Sequence, residues 1–129
     1  MKYYHSKKLH HTSFSEAEER VTAALKEKGF GILTEIDVQA TMKKKLDADM
    51  PAYKILGACN PQFAYKALQH ENKIGTMLPC NVILQEMEDG AVEVSAVDPM
   101  ASMQAVDNPD LGQIAGEVRD TLRAAIDSL

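Results

Sequence analysis

An Asp89-Gly90 pair stands between two alternating apolar runs, and no other feature of the chain constrains its fold as tightly. Val82 and Leu84 alternate before the pair, and Val92 and Val94 after it. Aspartate followed by glycine supplies the tight reversal that joins two antiparallel strands. The stretch "LPCNVILQEMEDGAVEVSAVDP" therefore reads as a β-hairpin. Helical signals surround it. An antiparallel hairpin set among helical crossovers points to an α+β domain.

The helical signals are specific. Ser13 and Glu16 form a capping box. Ala17, Val21, Ala24 and Leu25 follow at helical spacing, and Gly29 closes that helix in the left-handed conformation. Asp37 is placed to cap "VQATMKKKLD", whose apolar stripe is Val38, Met42 and Leu46. Asn60 is a good N-cap and Pro61 suits the first helical position, opening "PQFAYKALQHE" with Ala64, Ala67 and Leu68 inward. Asn108 and Pro109 repeat the device before a terminal stripe of Leu111, Ile114, Val118, Leu122, Ile126 and Leu129.

Strands fill the intervals. Residues 2–11 alternate weakly and read as an opening strand. In "FGILTEID", Phe30, Ile32, Thr34 and Ile36 are expected on one face, with Leu33 and Glu35 on the other. In "AYKILGAC", Tyr53, Ile55, Gly57 and Cys59 alternate with Lys54, Leu56 and Ala58. Both faces are largely apolar, as on an inner strand. Residues 99–107, rich in methionine and alanine, read as a linker. The expected order is β-α-β-α-β-α-β-β-α. It predicts one α+β domain over residues 1–129, with a mixed sheet of roughly five strands and helices packed on one face. An open sheet leaves edges and a face to cover, which makes a homodimer the expected assembly.

Bulk properties exclude several function classes. At 129 residues the chain can bury roughly two thirds of its unfolded surface, so its core needs no disulfide or metal. Net charge is −5 and tryptophan is absent, which disfavours nucleic-acid binding. No run approaches the roughly 18 apolar residues of a membrane span. "MKYYHSKKLHHTSF" has no apolar run behind its charge and does not read as a secretory signal. Two cysteines without such a signal read as reduced thiols in the cytoplasm. The chain contains no GxGxxG, GxxxxGK[ST], GxSxG or HExxH motif.

The candidate chemistry centres on two Cys-Asn pairs. Cys59 precedes a predicted helix N-terminus, where partial positive charge favours a thiolate. Cys80 opens a predicted strand. Adjacent strands lie about 5 Å apart, so these strand-end thiols can approach each other. Such a pair can be redox-switchable or offer two soft ligands for Zn or Cu(I), with Met77 or Met100 nearby; Cys59 can also serve as a nucleophile. Equally, both can be small packed side chains. Asn60 reads first as a cap, while Asn81 faces away from Cys80 on its strand. Glu35 and Asp37 share a strand face with carboxylates about 6 to 7 Å apart, suited to acid/base work or a hard cation. The plainer reading is a solvated face with Asp37 as a helix cap. Asp98 before Pro99 reads as a turn residue, or as a strand-end carboxylate lining a cleft. His5, His10 and His11 cannot converge on an extended strand, and Lys43, Lys44 and Lys45 read as a solvated helix face.

Four segments taken together, "GFGILTEIDVQATMKKKL", "PAYKILGACNPQFAYKAL", "LPCNVILQE" and "VSAVDPM", closely resemble the family called domain of unknown function 302. The resemblance runs from about Ser13 to Met100, giving a family core over about 13–103 and an additional amphipathic helix over about 109–128. It implies a small, soluble, prokaryotic α+β protein that assembles as a dimer. The family's biochemical role is uncharacterised, so the resemblance implies no catalytic residue and no cofactor. The sequence reading is a dimeric binding module with a small-molecule or soft-metal site at Cys59 and Cys80, drawing on Asn60, Asn81, Asp98, Glu35 and Asp37. The competing readings are a thiol-based redox protein or enzyme, and an interaction protein with inert buried thiols.

Overall fold

A computed structural model describes residues 2–129. The hairpin is present. β4 (Cys80–Glu86) and β5 (Val92–Val97) pair antiparallel, with Glu86 opposite Val92. Gly90 has φ +84°, which a side chain would resist, and the Asp89 carboxylate accepts the Ala91 N–H at 3.0 Å.

Five strands form one sheet in the order β1 (Tyr4–Leu9), β5, β4, β3 (Tyr53–Cys59), β2 (Gly31–Asp37). The α+β class and the strand number agree with the sequence reading. Every pairing is antiparallel, so the sheet is not mixed. The reason lies in the connections. β2–β3 and β3–β4 are neighbours both in sequence and in space. The helices between them, α2 (Val38–Leu46) and α3 (Pro61–His70), each return the chain to the end of the sheet it left. Only α1 (Phe14–Glu27) crosses over, from edge strand β1 to the opposite edge β2.

The core lies on one sheet face. Leu56, Val82, Leu84 and Val94 meet Val21 and Leu25 of α1 and Leu122 and Ile126 of α5 (Pro109–Asp127), all fully buried. Each such side chain contributes about 1.5–3 kcal/mol of transfer free energy. α1 begins where the capping box requires, with Ser13 Oγ accepting the Glu16 N–H at 3.1 Å. It ends with Phe30 N–H on Leu25 O and Gly29 N–H on Lys26 O, the paired bonds of a Schellman cap. The far end of α5 is fastened to β1. Lys7 Nζ donates to the Asp127 and Leu129 carbonyls, and His5 Nε2 meets Asp127 Oδ1 at 2.7 Å. The Lys7 bond to Asp127 satisfies a carbonyl that the helix end leaves unpaired.

Three local expectations change. A bulge at Leu33 interrupts β2: Ile32 sits opposite Ala58 but Thr34 sits opposite Gly57. Ile32 therefore shares the core face with Glu35, and Thr34 and Ile36 take the other face. Phe30 precedes the strand and is buried beside Leu25. Second, the stripe of α2 is not buried. Leu46 is 71% exposed, because α2 packs only against β2 and β3 at the sheet edge. Third, the expected linker contains a helix. Pro99–Ser102 forms α4, capped by Asp98.

Candidate functional site

β3 ends at Cys59, and Asn60 turns the chain into α3. Asn60 Oδ1 accepts the N–H groups of Gln62 at 3.1 Å and Phe63 at 3.4 Å, and Pro61 occupies the first turn. The amide nitrogen of Asn60 lies against Gly29, where a Cβ would come within 3.0 Å of Nδ2. Gly29 itself has φ +86°. The second corner begins at Pro79 and Cys80. Cys80 sits opposite Ala58, the residue before Cys59. Gly57 lets these corners close together: a Cβ there would overlap Thr34 Oγ1 and lie 2.8 Å from Pro79 Cγ.

Both corners open on one cavity of about 310 Å³ between α3, α5 and the ends of β3 and β4. Cys59, Asn60 and Cys80 all line it. Cys59 is half-buried and Cys80 is buried. Among the described residues the remaining wall is hydrocarbon apart from Met103, and no charged side chain contributes to it. Burial, and then the neighbouring Cys59, push the Cys80 thiol from its ordinary 9.0 up to about 11. Cys80 is therefore a protonated thiol at neutral pH and a poor nucleophile. Among the described residues no group of three or more His, Cys, Asp and Glu side chains is arranged to hold a metal ion.

The other candidate residues lie elsewhere. Asn81 faces the helix-free side of the sheet, in a shallow groove with Tyr4, Tyr53, Ile83 and Gln85. Asp98 is buried, and its carboxylate is committed. Oδ1 accepts the Met100 N–H at 2.9 Å, and Oδ2 meets Arg123 Nη2 at 3.2 Å. Asp37 caps α2 through the Ala40 N–H at 2.9 Å. Glu35 meets Lys54 Nζ at 3.3 Å, and Lys54 also meets Glu18 at 2.8 Å. Hydrogen bonding to Glu18 is the largest influence holding the Lys54 ammonium above its usual range. Glu35 and Asp37 thus serve the edge of the sheet.

Several wall residues escaped the sequence reading. Leu33 reaches the cavity from the β2 bulge, and Met103, rather than Met77 or Met100, is the methionine in the wall. Ala64 and Ala67 of α3 face Leu111 and Ala115 of α5 across the hollow. The available signal was the run of small residues on two facing helices. Alanines there leave space that larger side chains would fill.

An antiparallel five-stranded sheet under one helical layer, with an apolar cavity at the sheet end, defines a small α+β domain. The family model described as "Domain of unknown function DUF302" matches residues 5–129, and the chain belongs to that family. The match includes α5. The chain is also similar to the crystal structure of an uncharacterized conserved DUF302 protein from Bacillus stearothermophilus. The two share 26% sequence identity and superpose with a TM-score of 0.91 over 98% of each chain. No curated protein matches. Among the described residues no helix is long and apolar enough to cross a membrane.

Proposed function

We propose that this protein is a dimeric binding module that takes a small molecule into the cavity beside Cys59, Asn60 and Cys80. The observation that carries this reading is the convergence of two sequence-distant corners on one 310 Å³ hollow. That volume lies at the lower end of the range for ligand sites, about 300–1,000 Å³. Binding needs only such a hollow. Catalysis needs in addition a base and a group that stabilises developing charge, and the wall supplies neither. The protonated state of Cys80 favours packing and shape over thiolate chemistry at this site.

The helix-free face supports the dimer reading. Tyr4, Tyr53, Ile55 and Ile83 are only partly covered there, and a second copy would bury them. A reducing prokaryotic cytoplasm suits a chain whose two cysteines are both free.

Alkylation of Cys59 tests the site. Maleimide labelling of Cys59 slows at least several-fold when the cavity is occupied, while labelling in unfolded protein is unchanged. Equal rates with and without every ligand tried would remove the site. Sedimentation equilibrium tests the dimer separately: Ile83→Lys shifts wild-type dimer to monomer, and a wild-type monomer at 100 μM, well above usual dimer affinities, would reject it.

A further inference from the structure

We infer that the ligand of this cavity is an uncharged, largely hydrocarbon molecule of about ten to twelve non-hydrogen atoms. The inference rests on the binding-module reading and specifies its ligand. Size comes first. An apolar cavity of about 150 Å³ takes one benzene, and this one has about 310 Å³. Twice benzene is the volume of a ten- to twelve-atom molecule.

Charge comes next. Among the described residues no Lys, Arg, His, Asp or Glu lines the cavity. An ionised ligand would lose its hydration there and gain no counter-charge. The α3 N-terminus does not replace one, since Asn60 Oδ1 already occupies the Gln62 and Phe63 N–H groups. A soft metal fares no better: only two cysteine sulfurs line the cavity, and among the described residues no third His, Cys, Asp or Glu joins them.

Asn60 supplies no counter-charge either. Its oxygen is used by the cap, and among the described residues Nδ2 donates no hydrogen bond. Nδ2 lies against Gly29, which is not part of the wall, so the hollow asks for no particular polar group on its ligand. The entrance suits the same molecule. Leu33 is 67% exposed and Leu68 43% exposed, and both line the cavity, so hydrocarbon continues from the wall to the rim. The bulge in β2 aims Leu33 there.

Methyl NMR of the full chain tests this with named probes. Methyl groups of Ala115, Met103 and Ile83 are followed during titration with 2-alkanones of increasing length, with decanoate, and with zinc chloride under reducing conditions. The 2-alkanones shift Ala115 and Met103 saturably. Affinity rises about fourfold per methylene and stops rising near 2-decanone, when the cavity is full. Decanoate binds at least tenfold more weakly at pH 8. Ala64→Leu, on the half-exposed side of α3, fills the hollow and abolishes binding; Ala115→Leu does the same from α5 should the first variant fail to fold. Cavity methyls that respond to decanoate or zinc but not to 2-decanone would overturn the ligand class and leave the site. Cavity methyls that respond to no probe, or ketone shifts confined to Ile83, would overturn both.

Discussion

Cys80 in folded protein should alkylate at least a hundredfold more slowly than Cys80 in unfolded protein. Burial and the nearby Cys59 raise its thiol from 9.0 to about 11. At pH 8 a thiol of pKa 9.0 is about one tenth thiolate, and one of pKa 11 about one thousandth. Ionisation alone therefore gives about a hundredfold, and burial at 8% exposure slows the reagent further. The assay is pulsed iodoacetamide labelling from pH 7 to 11, with the Cys80 peptide quantified by mass spectrometry against the urea-unfolded chain. The same shift has a stability consequence. Between pH 9 and 11 the folded chain keeps the Cys80 proton and the unfolded chain has lost it. The folded state is thus the one binding more protons, and stability falls as pH rises through that window. Two units correspond to about 3 kcal/mol once pH exceeds the folded value. Folded Cys80 labelling within about threefold of the unfolded rate at pH 8, where ionisation alone predicts a hundredfold, would refute the reasoning. So would stability rising from pH 9 to 11.

Three further outcomes follow from packing. Gly57→Ala should destabilise by about 1–3 kcal/mol in urea unfolding, since its Cβ overlaps Thr34 Oγ1 and crowds Pro79; Thr34→Ala in the same chain should recover part of that loss, and no cost for Gly57→Ala would show that the corners are not tightly closed. Asn60→Ala should cost about 1 kcal/mol through the lost α3 cap, with Asn60→Asp closer to wild type; equal losses would mean the cap is not what Asn60 contributes. Asp98→Ala should cost about 1–2 kcal/mol by removing the α4 cap. Arg123→Ala should cost less than about 1 kcal/mol, because that guanidinium is 44% exposed. The reverse order would make the ion pair, not the cap, the important contact.

Local chemistry made most of the fold legible. Ser13, Asn60, Asn108 and Asp37 each cap the helix expected of them, because capping depends on a few adjacent residues. The Asp89-Gly90 reversal is local in the same sense. Strand direction is not local. Whether the chain returns to the end it left or crosses the sheet depends on how helices pack, and the mixed sheet was expected for want of that information. The Leu33 bulge reversed the assignment of Ile32 for a related reason, since an extra residue in an edge strand leaves no mark in the alternation around it. The short α4 went unseen because Asp98-Pro99 serves a turn and a helix start equally well.

The site was half legible. The Cys-Asn corners drew attention because two identical dipeptides at strand ends are chemically unusual, and Cys59, Asn60 and Cys80 do share a cavity. Asn81 is one residue from Cys80 yet opens on the other face, as period-two alternation requires. Asp98, Glu35 and Asp37 are carboxylates whose partners are structural, and partners are set by tertiary contacts. The alanine-lined wall lay in two helices 40 residues or more apart, beyond the reach of any local pattern.

The most direct measurement is a crystal structure of the protein soaked with 2-decanone. Density for the ketone between α3 and α5, with its chain running toward Leu111, is the expected result. An empty cavity at saturating ketone, or density only in the groove beside Tyr53 and Ile83, would contradict the account.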